Sequence, residues 1–500
     1  MLFSTLAVLV LAFFFLHLYV SVIVKPARIR RILRQQAIDG PPPKILLGNT
    51  LDVKKSRDAA EKAALNHPHP PLIHNSAAVL PFAEEWRQQY GRLYVFSIGK
   101  MQILYVNDPE LVKEITTCTS LDSGKPSYQQ KVFRPLLGKG ILSSNGSVWA
   151  RQRKIIAPEL FMDKARYICI YSWKHKVESE GGGVVEIGVG HCMKRFSGDI
   201  ISRACFGGSY SKGQEIFLKF VDLQEIMYKW KLSALGIPGL RHLPTKTNRK
   251  IWALEKEISA LILKVVKERR EAGHERDLLQ TLLEVAKTSY STSAAIDQFI
   301  VDNCRNIYLA GFETSAVSAS WCLMLLASNP EWQTRLRDEV EEVCQGRIPD
   351  IDMLRKMKKL HMVIQETMRL YPPAPTLARE AFKDVKIGNI RVPKGVNVWT
   401  MVTALHTDTA LWGADALEFK PQRFENGIAG ACKSPNAYIP FGFGQRVCVG
   451  QHLAMVELKM LMALILTNFS FTLSLNYVHS PVMKTIIEPK HGVQIMVKKL

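Results

Sequence analysis

One loop near the carboxyl end, Phe441–Gly450, constrains this chain more than any other stretch of its sequence. Glycines surround a single cysteine in it, an arginine precedes that cysteine by two residues, and an apolar helical pattern follows. A thiolate that holds a buried haem iron needs these parts, because glycine lets the backbone approach the porphyrin and direct N–H groups at the sulfur. The alternative is a buried structural cysteine in a glycine turn. Five spaced residues favour the haem site: Phe441, Gly444, Arg446, Cys448 and Gly450.

Two side chains of this loop have predicted roles at such a site. Cys448 would supply the axial sulfur to the iron, and the metal would deprotonate it, since a thiol in apolar surroundings otherwise stays neutral. Arg446 would carry the positive charge that a haem propionate requires. The loop therefore predicts a haem–thiolate centre.

Composition narrows the class of protein. The chain has 500 residues, is 47% apolar and carries a formal net charge of +21, which suits a surface that faces anionic lipid or an acidic protein partner. Nucleic-acid binding is not expected, because the basic residues are scattered and form no stripe with aromatic residues. The nine cysteines include no CxxC pair, which indicates a reducing compartment and argues against a disulfide framework or a zinc site.

The N-terminal residues predict a membrane anchor. Residues Leu2 to Val24 are almost wholly apolar and long enough to span a bilayer, whereas a signal peptide has a shorter apolar region and a basic start. Basic residues follow this stretch, so the positive-inside rule places the rest of the chain in the cytosol. We expect a transmembrane anchor at 1–24, a basic and Pro-rich linker at 25–48, and a catalytic domain at 49–500.

Helical periodicity dominates the remainder of the chain. The pattern predicts a long helix over 296–328, a shorter helix over 360–370 and another after the cysteine loop. Hairpins are expected at 93–106 and at 385–399, strands at 469–475 and 493–497, and a long irregular loop at 119–145. The predicted fold class is mainly α with small β-sheets (α+β).

Polar residues at helical spacing form two further candidate groups. Trp149 and Arg153 lie four residues apart on one helix face, where an indole N–H and a guanidinium suit a carboxylate; a cation–π pair is the alternative. Glu366 and Arg369 lie three residues apart on the 360–370 helix and can form an ion pair. Arg423 is predicted to complete a buried network with that pair.

The middle of the long helix carries the motif Ala310-Gly-Phe-Glu-Thr314. Gly311 costs a helix about 1 kcal/mol relative to alanine, and Glu313 and Thr314 are poor choices for a buried apolar helix. A local defect beside proton-carrying groups is what an oxygen-activating site requires. The alternative is a glycine at a helix–helix crossing with exposed polar neighbours.

In their order along the chain, these motifs resemble those of the cytochrome P450 superfamily of haem-thiolate monooxygenases. The resemblance implies the P450 fold preceded by an N-terminal transmembrane helix, with Cys448 as the iron ligand. Thr314 and Glu313 resemble the pair that supplies protons during oxygen activation. The donors that would hold the haem propionates are Trp149, Arg153, Arg379 and Arg446, and the residues that would steady the haem-binding core are Glu366, Arg369 and Arg423.

The resemblance also implies an activity and partners. The chain would insert one oxygen atom of O2 into a lipophilic small molecule, with electrons from the NADPH–cytochrome P450 reductase, as a single-pass protein of the endoplasmic reticulum. The segment Phe196–Phe206 and the run Glu-Thr-Met-Arg-Leu-Tyr-Pro-Pro are most similar to the plant subfamily with gibberellin-oxidising members, so a diterpenoid is one expected substrate. The alternatives are an isomerase or dehydratase on the same fold, which needs no reductase, and a non-catalytic haem-binding membrane protein.

Overall fold

The computed structural model of the chain describes residues 2–66, 79–118, 122–160, 168–206, 210–234, 243–272 and 277–500. Helices account for most of these ranges. A π-helical stretch, Val20–Val24, joins the first two α-helices. The α-helices are α1 Leu2–Tyr19, α2 Lys25–Arg34, α3 Thr50–Asn66, α4 Pro81–Tyr90, α5 Pro109–Thr117, α6 Ser127–Val132, α7 Arg134–Leu137, α8 Gly146–Ile156, α9 Ile168–Ser179, α10 Val189–Phe206, α11 Tyr210–Ala234, α12 Lys246–Ala272, α13 Leu278–Ser289, α14 Ser293–Ala327, α15 Pro330–Cys344, α16 Ile351–Lys356, α17 Lys358–Leu370, α18 Val402–His406, α19 Thr409–Trp412, α20 Gly427–Ala431 and α21 Gln451–Asn468.

The strands are short and form small sheets around the helices. They are β1 Leu93–Ile98, β2 Met101–Val106, β3 Ser123–Gly124, β4 Val185–Gly188, β5 Thr376–Ala381, β6 Val385–Ile387, β7 Ile390–Val392, β8 Asn397–Met401, β9 Phe469–Leu473, β10 Pro481–Met483, β11 Ile487–Pro489 and β12 Gln494–Lys499. The largest sheet has five strands in the order β1-β2-β8-β5-β3, and a second sheet has three strands in the order β4-β12-β9. Strands β6 and β7 pair with each other, as do β10 and β11. The prediction of a mainly α fold with small β-sheets is confirmed.

Helix α14 forms the centre of the core. The Thr292 hydroxyl caps its first turn by accepting the Ala295 N–H, and the helix is buried along most of the stretch from Phe299 to Ala327. Helix α15 begins at Pro330, directly after the predicted stop. Because other elements enclose α14, its polar residues contact several of them, including elements of the candidate site.

The N-terminal helix continues into the globular part. Two helices in the described residues, Thr5–Arg34 and Ser293–Ala327, are long and apolar enough to cross a membrane, but the second is largely buried in the core. The apolar side chains of α1 are exposed, as lipid-facing residues would be. In α2, Leu33 is fully buried, and Arg30 Nη2 donates to the main-chain oxygens of Pro41 and Val95, both at 2.9 Å. The basic segment after the anchor is thus packed on the globular part.

The strand predictions have mixed outcomes. The hairpin at 93–106 is confirmed as β1 and β2, and the strands expected near the carboxyl end pair as β9 and β12. The second hairpin is shorter than predicted, because β7 ends at Val392 before Pro393 and the left-handed Gly395, and β8 then joins the large sheet beside β2. The loop expected to be irregular contains β3, α6 and α7, and residues 119–121 lie outside the described residues.

Candidate functional site

The Cys448 loop is a closed turn that ends at the start of α21. The Cys448 N–H donates to the Phe441 main-chain oxygen at 2.9 Å, and the Val447 N–H donates to that of Gly444 at 3.1 Å. Gly444 has a φ of +69°, and a Cβ at this position would collide with the carbonyl oxygen of Thr116 in α5. Only glycine meets both conditions, so local sterics explain Gly444 without reference to a ligand.

The Cys448 thiol is accessible and yet desolvated. Its side chain is exposed, but burial among the surrounding protein atoms raises the pKa of the thiol, while the Gly450 N–H, which donates to it, and the Arg153 guanidinium lower it. The sulfur is therefore accessible to a ligand although protein atoms make up most of its surroundings. Among the described residues, the nearest atom to a Cβ at Gly450 would be Leu160 Cδ1 at 4.0 Å, so these residues do not require glycine at this position.

Three cations lie close to one another beside this loop, and they are here called the cation cluster: Arg379 is buried, and Lys125 and Arg446 are half-buried. Desolvation lowers the pKa of each, to about 7 for Lys125 and to about 10 for both arginines. Mutual repulsion adds to this at Lys125 and Arg446. Among the described residues none of the three forms an ion pair with a carboxylate. Buried positive charges without acidic partners suit an anionic ligand.

Trp149 and Arg153 project from α8 towards the cysteine loop, as their spacing predicted. The Arg446 guanidinium lies 4.2 Å from the centre of the Trp149 ring and that of Arg153 lies 5.9 Å from it. Arg153 Nη1 also donates to the Val447 oxygen at 2.7 Å. The cation–π alternative is therefore present in the structure, and it orders two guanidiniums beside Cys448.

Sequence reasoning missed Lys125 and Asn145 at this site. Asn145 Oδ1 accepts hydrogen bonds from Arg446 Nη2 and from the Lys125 N–H, both at 2.8 Å. The Lys125 ammonium belongs to the cation cluster. Its only sequence signal was a lysine in a loop rich in Ser, Gly and Lys, which does not distinguish it from a solvated lysine.

Glu313 and Thr314 lie at the middle of α14, as expected. Burial raises the pKa of Glu313 to about 7, while the Gln224 side chain on α11, which hydrogen-bonds the carboxyl, lowers it. The Thr314 hydroxyl donates to the Ala310 oxygen at 2.7 Å, inside an unbroken helix. Gly311 packs at a helix crossing, because a Cβ there would lie 2.5 Å from Ile201 Cδ1 of α10. The structure thus supports the crossing explanation of Gly311 and not a local defect.

Glu366, Arg369 and Arg423 form one buried network. Arg369 donates to both carboxylate oxygens of Glu366, at 2.6 and 2.8 Å, and Arg423 Nε donates to one of them at 3.3 Å. The Arg369 oxygen contacts His406 Nδ1 at 3.1 Å, and His406 Nε2 accepts the Ile439 N–H at 2.9 Å. His406, which sequence reasoning did not select, therefore joins the network to the start of the cysteine loop.

These observations together fit haem. The site offers an accessible but desolvated thiol, desolvated cations that have no carboxylate partner among the described residues and could pair with propionates, and an acid on the central helix whose pKa is about 7. A planar group with two carboxylates and a metal that binds sulfur matches this donor set.

Comparisons with known proteins agree with the geometry. A family model described as Cytochrome P450 matches residues 72–496. Cytochrome P450 714C2 of Oryza sativa subsp. japonica is 46% identical over 502 residues, which cover 97% of this chain and 96% of the relative. Cytochrome P450 714A2 of Arabidopsis thaliana is 42% identical, covering 96% and 95%, and Cytochrome P450 714D1 of Oryza sativa subsp. japonica is 41% identical, covering 95% and 91%.

Proposed function

This chain belongs to the cytochrome P450 family of haem monooxygenases, and from that premise we propose how its own residues bind the cofactor and serve the reaction. Haem is the cofactor and the chain is an oxidoreductase. When bound through a thiolate, haem activates O2 so that one oxygen atom enters a C–H bond of a lipophilic substrate. The observation that carries the assignment of residues is the accessible, desolvated thiol of Cys448 beside the cation cluster.

Cofactor binding is assigned to the two sides of the cysteine loop. Cys448 would bind the iron, and the Gly450 N–H that donates to its sulfur would tune the electron donation of the thiolate. Arg379, Arg446, Arg153 and Trp149 would hold the propionates, and Lys125 would join them. The carboxylates of haem would neutralise the cation cluster, which accounts for desolvated basic residues that have no acidic partner among the described residues.

Proton transfer is assigned to Glu313 and Thr314. With a pKa of about 7, the Glu313 carboxyl can both donate and accept a proton under physiological conditions. Thr314 follows it directly in α14 and offers a hydroxyl on the same segment. This pair favours a monooxygenase over an isomerase or dehydratase on the same fold, since a rearrangement without O2 has no need of proton delivery.

Partners and location follow from the family and from the anchor. We assign electron supply to a separate NADPH–cytochrome P450 reductase, whose acidic surface would meet the basic chain, with a net charge of +21. We place the chain in the endoplasmic reticulum membrane, with a single anchor at 1–24 and the catalytic domain in the cytosol. Because the chain is similar to the 714 subfamily, diterpenoids such as gibberellins are the first substrates to test.

Replacing the predicted iron ligand tests this assignment. Cys448→Ala should abolish the ferrous–CO absorption band that marks a thiolate ligand, because it removes the sulfur assigned to the iron. The matched control is Cys432→Ala, which removes a partly buried thiol whose sulfur contacts the Ser434 oxygen. The control should keep the band. A Cys448→Ala protein that keeps it would overturn the ligand assignment.

A further inference from the structure

Two buried polar side chains of α14 contact the 137–145 segment, which runs from the last residue of α7 to the residue before α8. The Lys139 N–H donates to Asp302 Oδ2 at 3.0 Å, and the Leu142 N–H donates to Asn306 Oδ1 at 2.7 Å. Asn306 Nδ2 donates in turn to the Leu137 oxygen at 2.6 Å. Asp302 is 3% exposed and Asn306 is 0% exposed. Buried hydrogen bonds of this kind are costly to break, so they fix the segment on the central helix.

Glycines allow this close approach. A Cβ at Gly138 would collide with the Asp302 carboxylate, and a Cβ at Gly140 would collide with the Asn306 amide. Gly138 also has a φ of +52°, in the left-handed region that glycine tolerates. The backbone of the segment therefore lies directly against the side chains of α14.

The other end of the same segment holds the cation cluster. The Ser144 oxygen accepts from Arg446 Nη1 at 3.2 Å, and Asn145 Oδ1 accepts from Arg446 Nη2 at 2.8 Å. Asn145 also exchanges two hydrogen bonds with the Lys125 backbone, at 2.8 and 2.9 Å. The segment is thus held at one end by hydrogen bonds to α14 and at the other by hydrogen bonds to the Arg446 guanidinium and to the Lys125 backbone.

We propose that Asp302 and Asn306 are positioning residues for haem, which act through the 137–145 segment on Arg446 and Lys125. The inference rests on the proposed function, because the haem carboxylates are the groups that the cation cluster would hold. It gives α14 two tasks. Its middle carries Glu313 and Thr314, and its first half sets the position of the cations through the 137–145 segment.

The test compares two asparagines of one helix in the full-length protein. Asn303 is as deeply buried as Asn306, at 0% exposed, but its described hydrogen bond is to the Phe299 oxygen of its own helix, at 2.9 Å. Asn306→Ala should release haem to excess apomyoglobin about tenfold faster. It should also lower the ferric–ferrous midpoint potential, because positive charge near the haem favours the reduced form. Asn303→Ala should leave both quantities unchanged, even if its thermal midpoint falls as far.

Asp302→Asn serves as a second, milder variant, since it keeps the size of the side chain and removes one of its two acceptors. It should shift haem release and potential in the same direction as Asn306→Ala. The proposal would be overturned if Asn306→Ala and Asn303→Ala had equal rates of haem release and equal midpoint potentials. It would also be overturned if Asn306→Ala and Asp302→Asn both kept the parent's values. Either result would leave the haem assignment intact. A parent protein that lacks the thiolate band would overturn the proposed function and this inference together.

Discussion

Two groups of buried charges in this molecule are built in opposite ways. In the network of Glu366, Arg369 and Arg423, each charged group has a partner: the carboxylate accepts from both arginines, and Arg369 Nη1 donates to the His406 and Ala416 oxygens. In the cation cluster, three positive groups repel one another, and none has an acidic partner among the described residues. The first group is complete within the protein, and the second becomes complete only with an anion.

This difference separates a structural role from a binding role. A buried ion pair that is satisfied by the protein stabilises the fold only as long as both partners remain. Buried charges of one sign destabilise the chain by itself, because desolvation and repulsion are not offset. Such a cost indicates function, and it predicts that substitutions in the two groups will affect different measurements.

The largest effect is expected in the complete network. Glu366→Gln removes the acid on which Arg369 and Arg423 converge. Arg423 keeps its pair with Asp415 at 3.2 Å, but the fully buried Arg369 guanidinium is left without a counter-charge, so the free energy of unfolding should fall by about 3–5 kcal/mol. Thermal unfolding followed by circular dichroism, with the yield of folded protein, measures this. Asp352→Asn is the control, because its pair with Arg355 is exposed, at 80% and 68%, and should contribute less than about 1 kcal/mol. Equal melting of the two variants would contradict the contrast.

A buried acid that has no basic partner among the described residues offers a converse test. Glu457 of α21 is 4% exposed, and in the described part of the chain its Oε1 has no hydrogen-bond partner. Burial raises the pKa of its carboxyl from 4.5 to about 7, although hydrogen bonds from Ser197 and Ser315 lower it. Between these pH values the folded chain binds more protons at Glu457 than the unfolded chain, so the stabilising contribution is full below pH 4.5 and is lost as the pH rises through 7.

Glu457→Gln keeps the shape and removes this titration. The variant should gain stability relative to the parent as the pH rises from 4.5 to 7, by about 2–3 kcal/mol in the free energy of unfolding. Chemical denaturation at several pH values measures the difference. Parallel stability curves for the two proteins would show that Glu457 is either solvated or paired.

Local chemistry made part of this site predictable from sequence. Cys448, Arg446 and the pair Trp149 and Arg153 were predicted from residue types a few positions apart along the chain, and the structure brings these side chains together. The mainly α fold and the limits of α14 followed from periodicity and from the stop before Pro330. These inferences need only neighbouring residues, so no knowledge of the tertiary structure was required.

The rest depends on contacts between distant parts of the chain. Asn145 and Arg446 are 301 residues apart, and Lys125 and Asn306 are ordinary polar residues until the fold brings them to the site. Gly311 shows the same limit, since both a helix defect and a helix crossing explain a glycine, and only Ile201 of α10 decides between them. The range predicted for the second hairpin was too long, because the residues of β8 also have a strand pattern but belong to a different sheet.

The smallest effect, and the most direct test of the contrast, concerns Arg379. It is 7% exposed, and its described hydrogen bond is to the Ala378 oxygen at 3.1 Å. Arg379→Gln removes an uncompensated buried charge, so thermal stability should not fall, while haem transfer to apomyoglobin should become about tenfold faster through loss of a charge-assisted hydrogen bond.

Arg337→Gln is the control, because burial also lowers the pKa of Arg337, which donates to the Leu466 and Phe469 oxygens of α21 and β9. This control should lose stability and keep its haem. If Arg379→Gln instead lost stability and kept haem, the cation cluster would belong with the structural network, and the distinction between the two groups would fail.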